Sequence, residues 1–376
     1  MNFVVLMKCF TTILLFYFYS VSLFSQVDSL KGEIKSIREK VIFLDEKKQN
    51  LKLFSSDDDY GHYDFTSPEF TFSRFNNWWF NTPWVHYLNY YQEYDREHKL
   101  KSQIWFKKND SSFIKYYYLY NKNANLIQQK ILRFDSSYAI DNYSYNDSAT
   151  LLTSMSYFSS DPTFYYYSIN LYDEQKRIIE KRNYNQDGES GGQKFEYNNK
   201  GQKLKILNHY PFIWVKIDDR TTGQKADKIG NDIVSEEYFY NNFDSVSKVN
   251  FYNEDFYDRN KAFLYKTELY EYDTKNRKKT ASYITDTIIG TREYDYYDNN
   301  QLKRERLIAK NSSYNSLIEY FYNIDGMISK VNYVERDKTT VITFKYKFDI
   351  KNNWVEQQKI IDGKTLYIRR REIDYY

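Results

Sequence analysis

The chain has 376 residues and a nearly balanced charge, 54 Lys and Arg against 51 Asp and Glu, which argues against a nucleic-acid partner, because a phosphate-tracking surface needs a basic stripe. Its single cysteine, Cys9, lies in the first segment, so thiol chemistry and Cys-ligated zinc are excluded beyond it and no disulfide framework is expected. With 42 Tyr and 27 Phe but 11 Gly and 4 Pro, the composition excludes disorder and suits pleated surfaces wetted on at least one side.

Residues 1–25 open the chain as MNFVVLMKCFTTILLFYFYSVSLFS, apolar from Asn2 to Phe24 with Lys8 as its one charge. The span is long enough to cross a bilayer. Its position, weakly positive start and small Ser25 before polar Gln26 instead predict a signal peptide cleaved after Ser25. An exported protein is expected: periplasmic, outer membrane-associated or extracellular in a Gram-negative bacterium.

Residues 26–53 place Leu30, Ile34, Ile37, Val41, Leu44 and Leu51 at spacings that are mostly three or four, with charges between. That spacing predicts an amphipathic helix, either a short coiled coil or a cap on the open end of a sheet. Residues 54–90 read as an aromatic-rich cap or first hairpin. The acids Asp57–Asp59 and Asp64 lack EF-hand spacing and read as a solvated turn rather than a calcium site. Trp78, Trp79 and Trp84 form the densest aromatic cluster. Such rings either stack on a sugar or a partner, or plug the first layer of a core.

Residues 91–376 repeat. An aromatic anchor followed by Asn or Asp recurs at Tyr94, Tyr120, Tyr145, Tyr172, Tyr197, Tyr240, Tyr272, Tyr297, Tyr322 and Phe348. Successive spacings are 26, 25, 27, 25, 43, 32, 25, 25 and 26. Alternating runs flank each turn, and an apolar residue returns six positions after most anchors, as at Leu100, Leu126 and Ile178. Each unit reads as a β-hairpin. The fold expected is all-β: about ten tandem hairpins forming one long, coiled antiparallel sheet, an open spiral or shell, preceded by the N-terminal helix.

The segments LYDEQKRII, EYNNKGQKLK and FYNIDGMISKV resemble the tyrosine-aspartate (YD) repeats of Rhs- and teneurin-like proteins. The resemblance covers about residues 88–376 and implies a secreted or surface sheet protein whose hairpins wind into a shell. It lacks the Pro- and Asp-rich core motif that precedes a toxin tail, so a toxin-delivery role is not implied.

Chemistry has few footholds. His62, His86, His98 and His209 are isolated, and no zinc-protease, nucleophile-elbow, phosphate-loop or dinucleotide motif is present. No enzyme, cofactor or metal is expected. The 43-residue interval instead inserts a loop near 209–234 that opens with Tyr210, Phe212 and Trp214. Insertions in repeat proteins often lie on the binding face, and Trp and Tyr make interface anchors. The candidate binding surface is therefore Trp78, Trp79, Trp84, Tyr210, Phe212 and Trp214. The function expected is a non-enzymatic binding or scaffold protein, an accessory subunit of an envelope or outer-membrane assembly. It would reach the membrane through a protein partner rather than by its own span. The alternative is a carbohydrate-binding surface protein that uses the same aromatics.

Overall fold

A computed structural model describes residues 30–44, 67–146, 150–158, 161–216, 222–255, 260–285 and 289–376. The segment read as a signal peptide and the acids Asp57–Asp59 and Asp64 lie outside the described residues. In chain order the elements are β1 (Ile34–Phe43), α1 (Pro68–Asn81), β2 (Asn89–Tyr94), β3 (Leu100–Phe106), β4 (Ser112–Tyr120), β5 (Leu126–Arg133), β6 (Tyr138–Tyr145), β7 (Leu151–Phe158) and β8 (Asp161–Tyr172). They continue with β9 (Ile178–Asn185), β10 (Gly188–Tyr197), β11 (Lys203–Lys216), β12 (Thr222–Tyr240), β13 (Val246–Glu254), β14 (Ala262–Tyr272), β15 (Lys278–Ile284) and β16 (Gly290–Tyr296). The last are β17 (Leu302–Ala309), β18 (Ser316–Tyr322), β19 (Ile328–Glu335), β20 (Lys338–Phe348), β21 (Trp354–Ile361) and β22 (Lys364–Tyr375).

Every strand pairs antiparallel with its sequence neighbours, and β1 also pairs with β22, Ile37 opposite Ile373 and Val41 opposite Arg369. The sheet is therefore a closed 22-stranded barrel. This corrects the open coiled sheet and, with it, the YD-repeat resemblance. The tyrosine-aspartate turn is a local hairpin solution, and such a turn carries no information about whether the first and last strands meet. Closure removes the sheet edges that would otherwise invite pairing with another chain. The seam is also tied by Asn353, whose side-chain amide accepts from Lys31 N at 2.7 Å and donates to Lys31 O at 2.8 Å.

The predicted N-terminal helix is corrected too: residues 34–43 are strand β1. Ile37 and Val41 are four apart, a separation that shares a face in a helix and in a strand alike. A bulge between Ile34 and Ser36 brings Ile34 to the buried side as well. Two flanking strands each offer a ladder of backbone partners, and that outweighs local helical preference.

The turns explain the repeat. In most copies the Asp or Asn after the anchor accepts from backbone N–H groups two and four residues on, as Asp173 Oδ1 does from Gln175 and Arg177, both at 2.9 Å. The residue three positions on takes the left-handed conformation, as at Lys176, Asn276 and Gly326, which produces a hairpin with a bulge. The anchor then faces the apolar residue six on: Tyr94 opposite Leu100, Tyr172 opposite Ile178.

Above the turns runs a ladder of tyrosine hydroxyls. Tyr145, Tyr172, Tyr197, Tyr240, Tyr272 and Tyr322 each donate to a backbone carbonyl of the preceding hairpin, at 2.6–2.9 Å. The copies at Tyr297 and Phe348 use another tyrosine instead: Tyr296 donates to Lys278 O and Tyr346 to Ile328 O. Tyr322→Phe should cost about 1 kcal/mol, measured by chemical denaturation, whereas Phe348→Tyr should be near neutral.

Candidate functional site

One place in the barrel concentrates buried charge. It begins with α1, which the sequence reading missed although its start is well signalled. Ser67 caps it, accepting from Phe70 N at 3.3 Å, Pro68 occupies the first turn and Glu69 follows. Thr71, Phe75, Trp78 and Trp79 form its buried stripe.

From this helix, Phe72 touches Tyr90 on β2 and Trp105 on β3, and Trp79 and Phe80 touch Phe344 on β20. Trp79 Nε1 donates to Gln357 on β21 at 3.0 Å, and Arg369 on β22 donates to Asn76 at 3.2 Å. Seven residues of helix advance only about 10 Å, yet these strands span five inter-strand steps of about 4.8 Å each. A helix so short reaches them because the face is concave. This is the inner face, and by alternation it also carries the tyrosine ladder.

Beneath the helix, Glu39 on β1 is fully buried. Arg369 Nε donates to its Oε1 at 2.5 Å; Arg371 Nε and Nη2 donate to Oε2 at 3.0 and 2.8 Å; Tyr90 OH donates to Oε2 at 2.8 Å. Both guanidiniums stack on Trp354, at 4.8 and 3.6 Å from its ring centre. Burial works to raise the Glu39 carboxyl, but Arg369 and Arg371 overcome it and hold the group below its ordinary value. At the other end of the helix the buried Lys359 amine donates to Trp78 O, Thr82 O and Trp84 O at 3.3, 2.7 and 3.2 Å. Burial pulls its pKa well below the usual lysine range. The three carbonyls and the negative end of the helix favour the charged form in return. The arrangement is a lock that seats α1 against six strands.

The sequence candidates divide between two places. Trp78 and Trp79 are buried in this seat, while Trp84, at the end of α1, is 39% exposed. Trp79 has no surface to offer a ligand. Tyr210, Phe212 and Trp214 lie on β11, far along the chain. Their segment is not a loop but the extension of the β11–β12 hairpin. The β10–β11 ladder runs to the pair Gly192 and His209, and the β12–β13 ladder to Glu236 and Phe251. Beyond those pairs β11 and β12 pair with each other alone, Phe212 opposite Ala226 and Trp214 opposite Gln224.

The base of that hairpin is clamped. His209 Nδ1 lies 2.6 Å from Asp232 Oδ1, and Lys194 Nζ lies 2.8 Å from Asp232 Oδ2. Burial would raise the Asp232 carboxyl, but Lys194 and His209 hold it below its usual range. Gly230 has φ +77, and a Cβ there would meet the His209 ring at 2.5 Å; only glycine passes the chain this close. Among the described residues no group of three or more His, Cys, Asp and Glu could hold a metal ion.

Sequence reasoning passed over Glu39, Arg369 and Arg371. Three consecutive arginines in a strand must put two on one face, and that was the available signal; the acid opposite them comes from the far end of the chain.

No protein-family model and no curated protein matches the sequence. Among solved structures, the TcdB2-TccC3-Cdc42 crystal structure is similar at 10% identity and a TM-score of 0.34, over 74% of this chain. This chain spans only 16% of the length of that one. A porin-like protein from Bacteroides uniformis is similar at 10% identity and a TM-score of 0.26, over 92% of this chain and 99% of that one. A porin-like protein from Bacteroides vulgatus is similar at 10% identity and a TM-score of 0.15, over 71% and 95%.

Proposed function

We propose that this closed barrel is a non-enzymatic scaffold of the Gram-negative envelope, held at the outer membrane as an accessory subunit and presenting the β11–β12 hairpin to a protein partner. The observation that carries the reading is the hairpin itself: two strands that outrun both neighbours, with Tyr210 and Phe212 in contact at 5.3 Å on one face and a clamped base. A rigid, protruding pair of strands with aromatic side chains suits docking better than a tolerant surface loop does.

The outside of β16–β18 favours water over lipid. Arg304 pairs with Asp295 and Arg306 with Glu293, all on outward mid-strand positions and all at least 43% exposed. A lipid-facing barrel needs an apolar outer band, and an Arg or Lys at the bilayer midplane costs about 2–4 kcal/mol. A barrel ringed on all sides by lipid is therefore disfavoured, and attachment through a partner is favoured.

Affinity capture of the tagged protein from native envelopes tests this. A stoichiometric envelope protein should be retained by the wild type and lost with Tyr210→Ala/Phe212→Ala. Capture unaffected by that pair of substitutions, or no capture at all, would rule the hairpin out as the docking element.

A further inference from the structure

The polarity of the barrel's outer face changes around its circumference. From β16 to β20 the inner face is aromatic and aliphatic, with Tyr294, Tyr320, Val331 and Phe344 buried, and the outer face is charged. From β4 to β8 the inner face is mixed, with Ile114, Tyr116 and Ala139 buried beside polar groups, and the outer face turns apolar. Pairing in register, Gln129 and Asp141 point inward, followed by Ser154, Ser156, Ser168 and then Asn183 on β9. The outward set includes Tyr117 and Leu119 on β4, Leu132 on β5, Ile140 on β6, Tyr157 on β7 and Leu171 on β8. Leu119 is 54% exposed, and Tyr117, Tyr157 and Leu171 are each about 40% exposed.

Five strands of about eight residues cover about 24 by 26 Å, about 600 Å² in all, and exposed apolar side chains lie across that face, as they do at interaction sites. An apolar outer band is the pattern of a wall that meets lipid. The charge on this face identifies the occupant. Lys115 and Lys130 point outward here, at positions paired with Leu132 and Tyr117, and no carboxylate joins them from Ser112 to Phe158 or from Tyr165 to Tyr172 among the described outward positions. A second copy on the same face would bring lysine towards lysine with no acid to pair. An anionic bilayer supplies the missing charge, and Tyr suits the boundary between headgroups and acyl chains.

We propose that the outer face of β4–β8 docks on an anionic lipid surface, with the charged sector turned to water. The proposal deepens the envelope reading and shares its location, but it concerns a different face from the hairpin. Flotation of the purified full chain with vesicles of phosphatidylethanolamine and phosphatidylglycerol tests it, against vesicles of phosphatidylcholine alone. The wild type should float with the anionic vesicles and bind the neutral ones about tenfold less or weaker. Leu119→Asp/Leu171→Asp and, as a gentler variant, Lys115→Gln/Lys130→Gln should each lower binding about tenfold, with far-UV circular dichroism and melting unchanged. Arg306→Gln, on the charged sector, should bind as the wild type does.

Failure to float, or equal binding by both double variants, would overturn the proposal. So would a dimer that Leu119→Asp/Leu171→Asp converts to monomer without any vesicle binding, since the face would then belong to a second copy. Loss of flotation with envelope capture intact refutes the lipid face alone; loss of capture with flotation intact refutes the hairpin reading alone.

Discussion

Replacing Glu39 by Ala should destabilise the barrel by about 3–5 kcal/mol, because it leaves Arg369 and Arg371 buried with no anion between them. Urea unfolding followed by circular dichroism measures it. Replacing the whole group, Glu39→Met with Arg369→Leu and Arg371→Met, should recover much of the loss, since a buried ion cluster contributes little over apolar residues of similar volume. A triple variant no better than Glu39→Ala would show that the charges themselves hold the seam.

The same carboxylate predicts a pH dependence. Its folded pKa lies below the ordinary 4.5, so its contribution is complete above about pH 4.5 and is lost as pH falls through the depressed folded value. His86 acts over an earlier window. Burial, and then Arg74, draw its imidazole down from 6.5 to about 3. The unfolded chain binds that proton first, so stability declines from pH 6.5 towards pH 3. Unfolding midpoints measured across this range should fall in two overlapping steps, and Glu39→Gln should shrink only the lower one, which Asp232 and Glu356 share.

Trp79→Ala should cost a further about 3–5 kcal/mol, the loss usual for a large aromatic cut from a packed core. Trp79 is fully buried, stacks on Phe75 at 5.6 Å and donates to Gln357. Trp84→Ala, two-fifths exposed, should change stability by less than about 0.5 kcal/mol. The contrast separates two tryptophans that look equivalent in the sequence. A small effect at Trp79 would mean that α1 does not depend on this seat. Limited proteolysis of both variants gives an independent reading, since an unseated helix exposes Pro68–Asn81 to cleavage.

Local chemistry was the part legible in the chain. Tyr followed by Asp or Asn, a left-handed residue three positions later and an apolar residue six after the anchor describe a hairpin turn completely, because each contact lies within about ten residues. The all-β class follows from the same pattern, whereas the 43-residue interval reads as a loop insert and is instead a pair of lengthened strands. Even there the hydroxyl ladder passes through Tyr296 rather than Tyr297, because strand register decides which ring faces inward, and through Tyr346 because Phe348 has no hydroxyl to donate.

Closure, the helix seat and the two characters of the outer face belong to the tertiary structure alone. β1 became a strand because β2 and β22 flank it, and nothing in residues 34–43 marks that meeting; their four-residue spacing fits either periodicity. Glu39 meets Arg369 and Arg371 across more than 300 positions, a contact whose energy depends on burial that only the finished barrel supplies. A strand's alternation says that its two faces differ, but which face turns inward is set by the curvature of the closed sheet.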